Sequence, residues 1–148
     1  MVIWPTAMLI AMSAATEPTL SAEAARSLMT SFVAAVADKP QSADDFFEPG
    51  ATIGIRGYEG FAEVDDFAQA MSQCRSESVQ EIAARPGWNL DGTRDFEVLW
   101  DCPSIGSHTA SKVRIDFFVR QKIVTGLGDY LPAAGSDRSL PFRYGFTR

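Results

Sequence analysis

Beyond Glu77 the chain changes period. Earlier, its apolar residues mostly recur every three or four positions. From there to Tyr130 they recur every second one, interrupted only by turn residues. Alternation of this kind belongs to strands in a sheet, because successive side chains point to opposite faces. "DFEVLWDC" is the clearest case: Phe96, Val98, Trp100 and Cys102 point one way, and Asp95, Glu97, Leu99 and Asp101 the other. Ahead of it "ESVQEIAA" (77–84) reads as a strand ended by Pro86-Gly87. After it a small polar loop, 103–110, leads to a strand over 112–119. Arg120-Gln121 turns the chain, and residues 122–130 return as a fourth strand. Four strands in a meander fix what the rest of the chain must cover.

Ahead of the meander the pattern is helical. Ser21 is placed to cap a helix over 22–37, with Ala24, Leu28, Phe32 and Val36 in one stripe and Ala25, Met29 and Val33 widening it. Pro40 disfavours helix at Lys39 and ends it. Ser42 reads as the cap of a short second helix, "ADDFFE", stopped by Pro49-Gly50, with Asp44 and Asp45 at the favourable end of the helix dipole. "ATIGIR" (51–56) is a short strand and "GYEG" a turn. A third helix is expected over 62–75, with Val64, Phe67, Ala68, Met71 and Cys74 on its apolar face and Asp65 and Asp66 serving its dipole. Helices segregated from a mostly antiparallel sheet make an α+β fold.

At 148 residues one domain is expected, long enough to bury a core without help. The net charge of −6 excludes an ordinary nucleic-acid binder, which needs Lys and Arg to replace phosphate counterions. The tail arginines Arg138, Arg143 and Arg148 are too sparse to change that. The first fifteen residues carry no charge and end in Ser13-Ala14-Ala15, small residues suited to cleavage before Thr16. That is a secretory signal pattern, although it lacks a basic start and Pro5 interrupts it. Its apolar run is too short to span a bilayer. The expected organisation is therefore a signal-like segment over 1–15, one domain over 16–131 and an irregular tail over 132–148. The protein is expected to be periplasmic or secreted, with no stable membrane span in the mature chain. The alternative is a cytoplasmic protein. One histidine, His108, and two cysteines, Cys74 and Cys102, leave nothing for a metal centre or a histidine triad. No metal and no cofactor are expected.

One residue of the third strand stands out. Alternation puts Val113, Ile115, Phe117 and Val119 on one face, and Lys112, Arg114, Asp116 and Phe118 on the other. The mixed face either lines a pocket or meets solvent, with Asp116 set across from Glu97 or Lys122. Arg56, at the end of the first strand, is a candidate for a carboxylate ligand or a plain surface charge.

"FFEPGATIGI" and "KVRIDFFVRQKIVTGLGDY" resemble the nuclear transport factor 2-like superfamily, which includes SnoaL-like and ketosteroid-isomerase-like proteins. The resemblance implies a curved, mostly antiparallel sheet wrapped around three N-terminal helices as a cone-shaped α+β barrel with an apolar pocket in its mouth. In the ketosteroid-isomerase-like branch an acid on this strand is kept neutral and hydrogen-bonds a substrate oxyanion. "RID" puts Asp116 in that place, which makes it the candidate catalytic residue. The tyrosine that branch carries on its first helix is missing here, as is the general-base Asp on its first strand. The pocket that the resemblance implies is lined by Arg114, Asp116 and Phe118, with Tyr58 and Trp88 at its rim. The dehydratase-like branch sets a His inside the pocket, whereas His108 reads as a loop residue. Relatives dimerise through the outer face of the sheet, and the apolar set on the third strand supports that here. In a cone fold the third helix lies across the sheet, so Cys74 and Cys102 should meet and form a disulfide in an oxidising compartment.

Two functions follow. One is an exported domain that binds a small apolar ligand or a protein partner in or around the pocket, without chemistry. The alternative is a cofactor-independent acid–base enzyme of the isomerase, dehydratase or cyclase kind. A pocket filled by Phe and Trp would leave a protein-interaction or structural role.

Overall fold

A computed structural model describes residues 18–56, 61–83, 90–105 and 108–131. The signal-like segment, the tail, Tyr58 and Trp88 lie outside them.

Helix α1 spans Ala22–Asp38, and Ser21 caps it as expected, its hydroxyl accepting the Ala24 N–H at 3.2 Å. Its buried stripe is Ala25, Met29, Phe32, Val33 and Val36, so the helix is rotated slightly from the expected face: Ala24 is exposed and Leu28 half-buried. Lys39 leaves the helical region, at φ −144° and ψ 68°, because the proline behind it excludes helical backbone there. Pro40 itself opens a 3-10 helix, Pro40–Phe46. Ser42 therefore lies inside this helix and does not cap it; its hydroxyl donates to the Lys39 carbonyl at 2.8 Å. Pro49-Gly50 then turns the chain. Ala51 N–H donates to Glu48 C=O at 3.1 Å, and Gly50 takes φ 77° at the third position, which favours glycine.

Strand β1 (Thr52–Arg56) matches the expectation. The next element does not. Phe61–Glu63 forms a short strand, β2, and helix α2 is confined to Val64–Met71. Three residues are too few to show a period. Asp65 and Asp66 do occupy the first turn of α2. Strand β3 is Arg75–Ile82, β4 Arg94–Ile105, β5 His108–Val119 and β6 Ile123–Leu131. Strands β4 and β5 run much longer than expected, through most of 103–110, with Ser104 opposite Thr109 and Ile105 opposite His108. Backbone pairing to an existing strand extends both past the point where side-chain alternation fades.

The six strands form one mixed, curved sheet in the order β2-β1-β6-β5-β4-β3. β3 to β6 are the expected antiparallel meander. β1 adds to β6 in parallel, and β2 pairs antiparallel to β1. All three helices join a single core with one face of the sheet, through Met29, Phe32, Val36, Ala43, Phe67 and Met71 against Phe96, Val98, Trp100, Ile115 and Phe117. No helix among the described residues is long and apolar enough to cross a membrane.

Candidate functional site

The helix-facing side of the sheet is where a cone fold would hold a pocket. Its centre is Phe117 on β5. Around that ring stand Phe32 of α1 at 5.2 Å, Trp100 of β4 at 6.0 Å, Phe47 at 6.3 Å and Phe67 of α2 at 6.3 Å between centroids, all edge-on or nearly so. Edge-to-face aromatic pairs each add about 0.5–1.5 kcal/mol beyond the area they bury. Strand β6 makes room for them with glycine. A Cβ on Gly126 would fall 2.8 Å from the Phe117 ring, and one on Gly128 would fall 2.5 Å from Ile115 Cγ1 and 2.8 Å from the Arg114 carbonyl oxygen. The interior here is ring packing.

Arg114, Asp116 and Phe118 are brought together, but on the other face. Because Ile115 and Phe117 are spent on the core, their neighbours must point away from the helices. The "RID" match to the isomerase-like acid is thus one residue out of step: Ile115 faces the helices where that acid would stand. On the outer face Asp116 lies opposite Glu97 of β4 and Leu127 of β6. Gln80 of β3 continues the row, its amide donating to Glu97 Oε1 at 3.2 Å. Arg114 lies opposite Leu99 and Asp129, and Phe118 opposite Asp95 and Thr125. Thr125 in turn donates to the Thr52 carbonyl at 2.9 Å. Asp116 is only 1% exposed, in a molecule whose other buried charged residue is Asp95 among those described. The apolar set invoked for dimerisation, Val113, Ile115, Phe117 and Val119, is wholly inside the core, which leaves a polar, mixed outer face.

Other candidates separate. His108 belongs to the start of β5, not to a loop. The backbone of Arg56 pairs with Asp129 of β6. Surface ion pairs edge the sheet: Lys112 with Glu77 at 2.8 Å, Arg94 with Glu81 at 2.9 Å and Arg75 with Asp101 at 3.5 Å. Exposed pairs such as these contribute roughly 0.2–1 kcal/mol each and do not mark a site.

One feature was not legible beforehand. An open cleft of about 280 Å³ lies between the Pro49-Gly50 turn and α2, lined by Asp44, Glu63 and Asp65 together with Gly50, Thr52 and Val64. Its acids come from three separate elements, so no local motif announces it. Among the described residues no three His, Cys, Asp or Glu side chains converge as a metal site.

Cys74 and Cys102 are joined in a disulfide, with Cα atoms 4.3 Å apart. The geometry differs from a helix crossing the sheet. Cys74 lies just before β3, and since Arg75 pairs with Asp101, it falls next in register beside Cys102. A buried disulfide suits an oxidising compartment outside the cytoplasm.

The arrangement is a helix-packed curved sheet, and solved structures share it. AusH from Aspergillus nidulans superposes with a TM-score of 0.53 at 9% identity, over 76% of this chain and 87% of that one. The putative calcium/calmodulin dependent protein kinase II association domain from Xanthomonas campestris gives 0.51 at 10%, over 80% and 97%. A de novo designed protein with a curved β-sheet gives 0.51 at 15%, over 76% and 89%. The first two are cone folds of the nuclear transport factor 2-like kind, and at these identities the likeness shows the fold alone. No family model and no curated protein matches the sequence.

Proposed function

We propose that this is an exported, non-catalytic interaction domain of the SnoaL-like and ketosteroid-isomerase-like superfamily, and that it acts on a protein partner. The observation that carries the reading is the ring packing around Phe117, which occupies the space where a small apolar ligand would sit. The surface left for a partner is the β3–β4 half of the outer face, where Gln80, Glu97, Leu99 and Lys112 are exposed or half-buried, with Arg114 at its inner margin. Polar, half-exposed positions around an occasional leucine fit the polar make-up of reversible protein contacts. The buried disulfide supports export, and the signal-like pattern supports a periplasmic or secreted destination with the mature chain, one domain and a tail, beginning at Thr16.

The test is native mass spectrometry combined with cross-linking on protein purified from its host. The expected result is a chain without a small-molecule adduct, and partner cross-links from Lys112. A co-purifying apolar molecule would return the ligand-binding reading. Cross-links that avoid the β3–β4 half of the sheet would remove the proposed surface.

A further inference from the structure

The two edges of the sheet are not alike. β2, at one end, has three residues and leads straight into α2, so it offers little backbone to an incoming chain. β3, at the other, has eight. An edge strand turns every second N–H and C=O away from its sheet, and proteins commonly blunt such a row with lysine, proline, a short length or a bulge. β3, "RSESVQEI", contains neither lysine nor proline. Its one bulge lies between Ser76 and Ser78, and from Ser78 to Ile82 the register on β4 is regular. Arg75 to Ser78 are all exposed, as is Gln80. Ser76 lies opposite Trp100 of the core and Ser78 opposite Leu99 of the other face, so it is the edge itself, and not one face, that is open to solvent. The acids of β3 raise no barrier to an arriving strand. Glu77 is held by Lys112 at 2.8 Å and Glu81 by Arg94 at 2.9 Å, both from strands further in.

We propose that β3 is the docking edge for the protein partner inferred above, and that an extended segment of that partner adds to Ser78–Ile82 as a further strand. This mode of docking rests on the partner reading and deepens it. A row of alternating donors and acceptors at the strand repeat is matched by one kind of group, another extended backbone. Side chains define the segment further. Val79 faces the helix side, opposite Val98, and is half-buried against the core. A β-branched residue set beside it lengthens that core. Gln80 is exposed on the outer face and takes a polar neighbour. The net charge of −6 favours a segment with basic flanks over a second copy of the same acidic chain.

The test uses a capped synthetic peptide that alternates threonine and valine between terminal lysines, and follows backbone amide exchange of the full chain by NMR. The peptide at millimolar concentration should slow exchange about tenfold at alternate residues of Ser78–Ile82. The same peptide N-methylated at every amide keeps its side chains and loses every backbone donor, and it should leave exchange unchanged. No slowing by the first peptide, equal slowing by both, or protection of β2 in place of β3 would overturn the proposal. A second measurement uses proline. Val79→Pro and Gln80→Pro remove neighbouring N–H groups, one aimed at β4 and the other at solvent. The variant that breaks the ladder should lose stability; the other should keep its circular dichroism spectrum and lose the response to the peptide. A folded proline variant that responds like the parent would count against the edge. Cross-links from Lys112 separate the two readings. Their absence in the parent removes the partner, whereas their persistence in the folded proline variant keeps the partner and removes the edge.

Discussion

Ile115 and Asp116 are one position apart and a whole layer of the molecule apart. The pleat sends Ile115 into the ring-packed core and Asp116 to the outer face, so the carboxylate cannot meet a substrate held between sheet and helices. We expect no Δ5-3-ketosteroid isomerisation from this protein; turnover that disappears in Asp116→Ala would contradict the assignment. At Gly128 the limit is contact. An alanine there would press its Cβ against the Arg114 backbone oxygen, 2.8 Å away, and backbone in mid-sheet cannot step aside. Gly128→Ala should cost about 1–3 kcal/mol, as overpacked cores do, read as a lower midpoint in urea unfolding. Phe117→Ala should cost more, about 3–5 kcal/mol, because it empties the site on which four other rings converge.

Among the elements, α1 and the disulfide carry the clearest expectations. Ser21→Ala removes the one side-chain acceptor at the start of α1 and should lower stability by about 1 kcal/mol. The Cys74–Cys102 bond closes a separation of 28 residues between the position just ahead of β3 and strand β4. In the chain-entropy account of cross-links this is worth about 3.5 kcal/mol. Cys74→Ala with Cys102→Ala should therefore lower the melting temperature by roughly 7–14 °C for a chain of this size, with the fold retained. Calorimetry of the double variant against the parent checks it. A change within a degree or two would mean that the register around Cys102 is held entirely by the β3–β4 ladder.

At the scale of the whole molecule, the described residues build the helix-packed core on one side of the sheet, while the other side mixes carboxylates with Leu99, Phe118 and Leu127. The apolar residues of β5 that a sheet-to-sheet dimer would need are already used against the helices. We expect a monomer in sedimentation at micromolar concentration; a stable dimer would require a different contact surface. Export is the other property of the whole. N-terminal sequencing of protein from the host should begin at Thr16, and recovery of an intact Met1 or Val2 would return the protein to the cytoplasm despite its disulfide.

Periodicity in the sequence determined which residues become core. The alternation of Phe96, Val98 and Trp100, and of Val113, Ile115 and Phe117, is a local property of strands. So is the Ser21 cap, and both appear where the sequence puts them. The pairing of Cys74 with Cys102 was legible too, but through a helix that does not reach Cys74; the bond follows from β3 registering on β4. What only the tertiary structure decided is which face of the sheet the helices take. Alternation sorts Ile115 from Asp116 but carries no label for inside. That label comes from burying Phe32, Phe47 and Phe67 against whichever face is apolar throughout. The same packing closes the interior with rings and leaves Arg114, Asp116 and Phe118 outside. β2 and the cleft of Asp44, Glu63 and Asp65 were also beyond local reading. β2 exists because it pairs with β1, and the cleft exists because Asp44 of the 3-10 helix is brought beside Glu63 and Asp65; neither is announced by a local pattern.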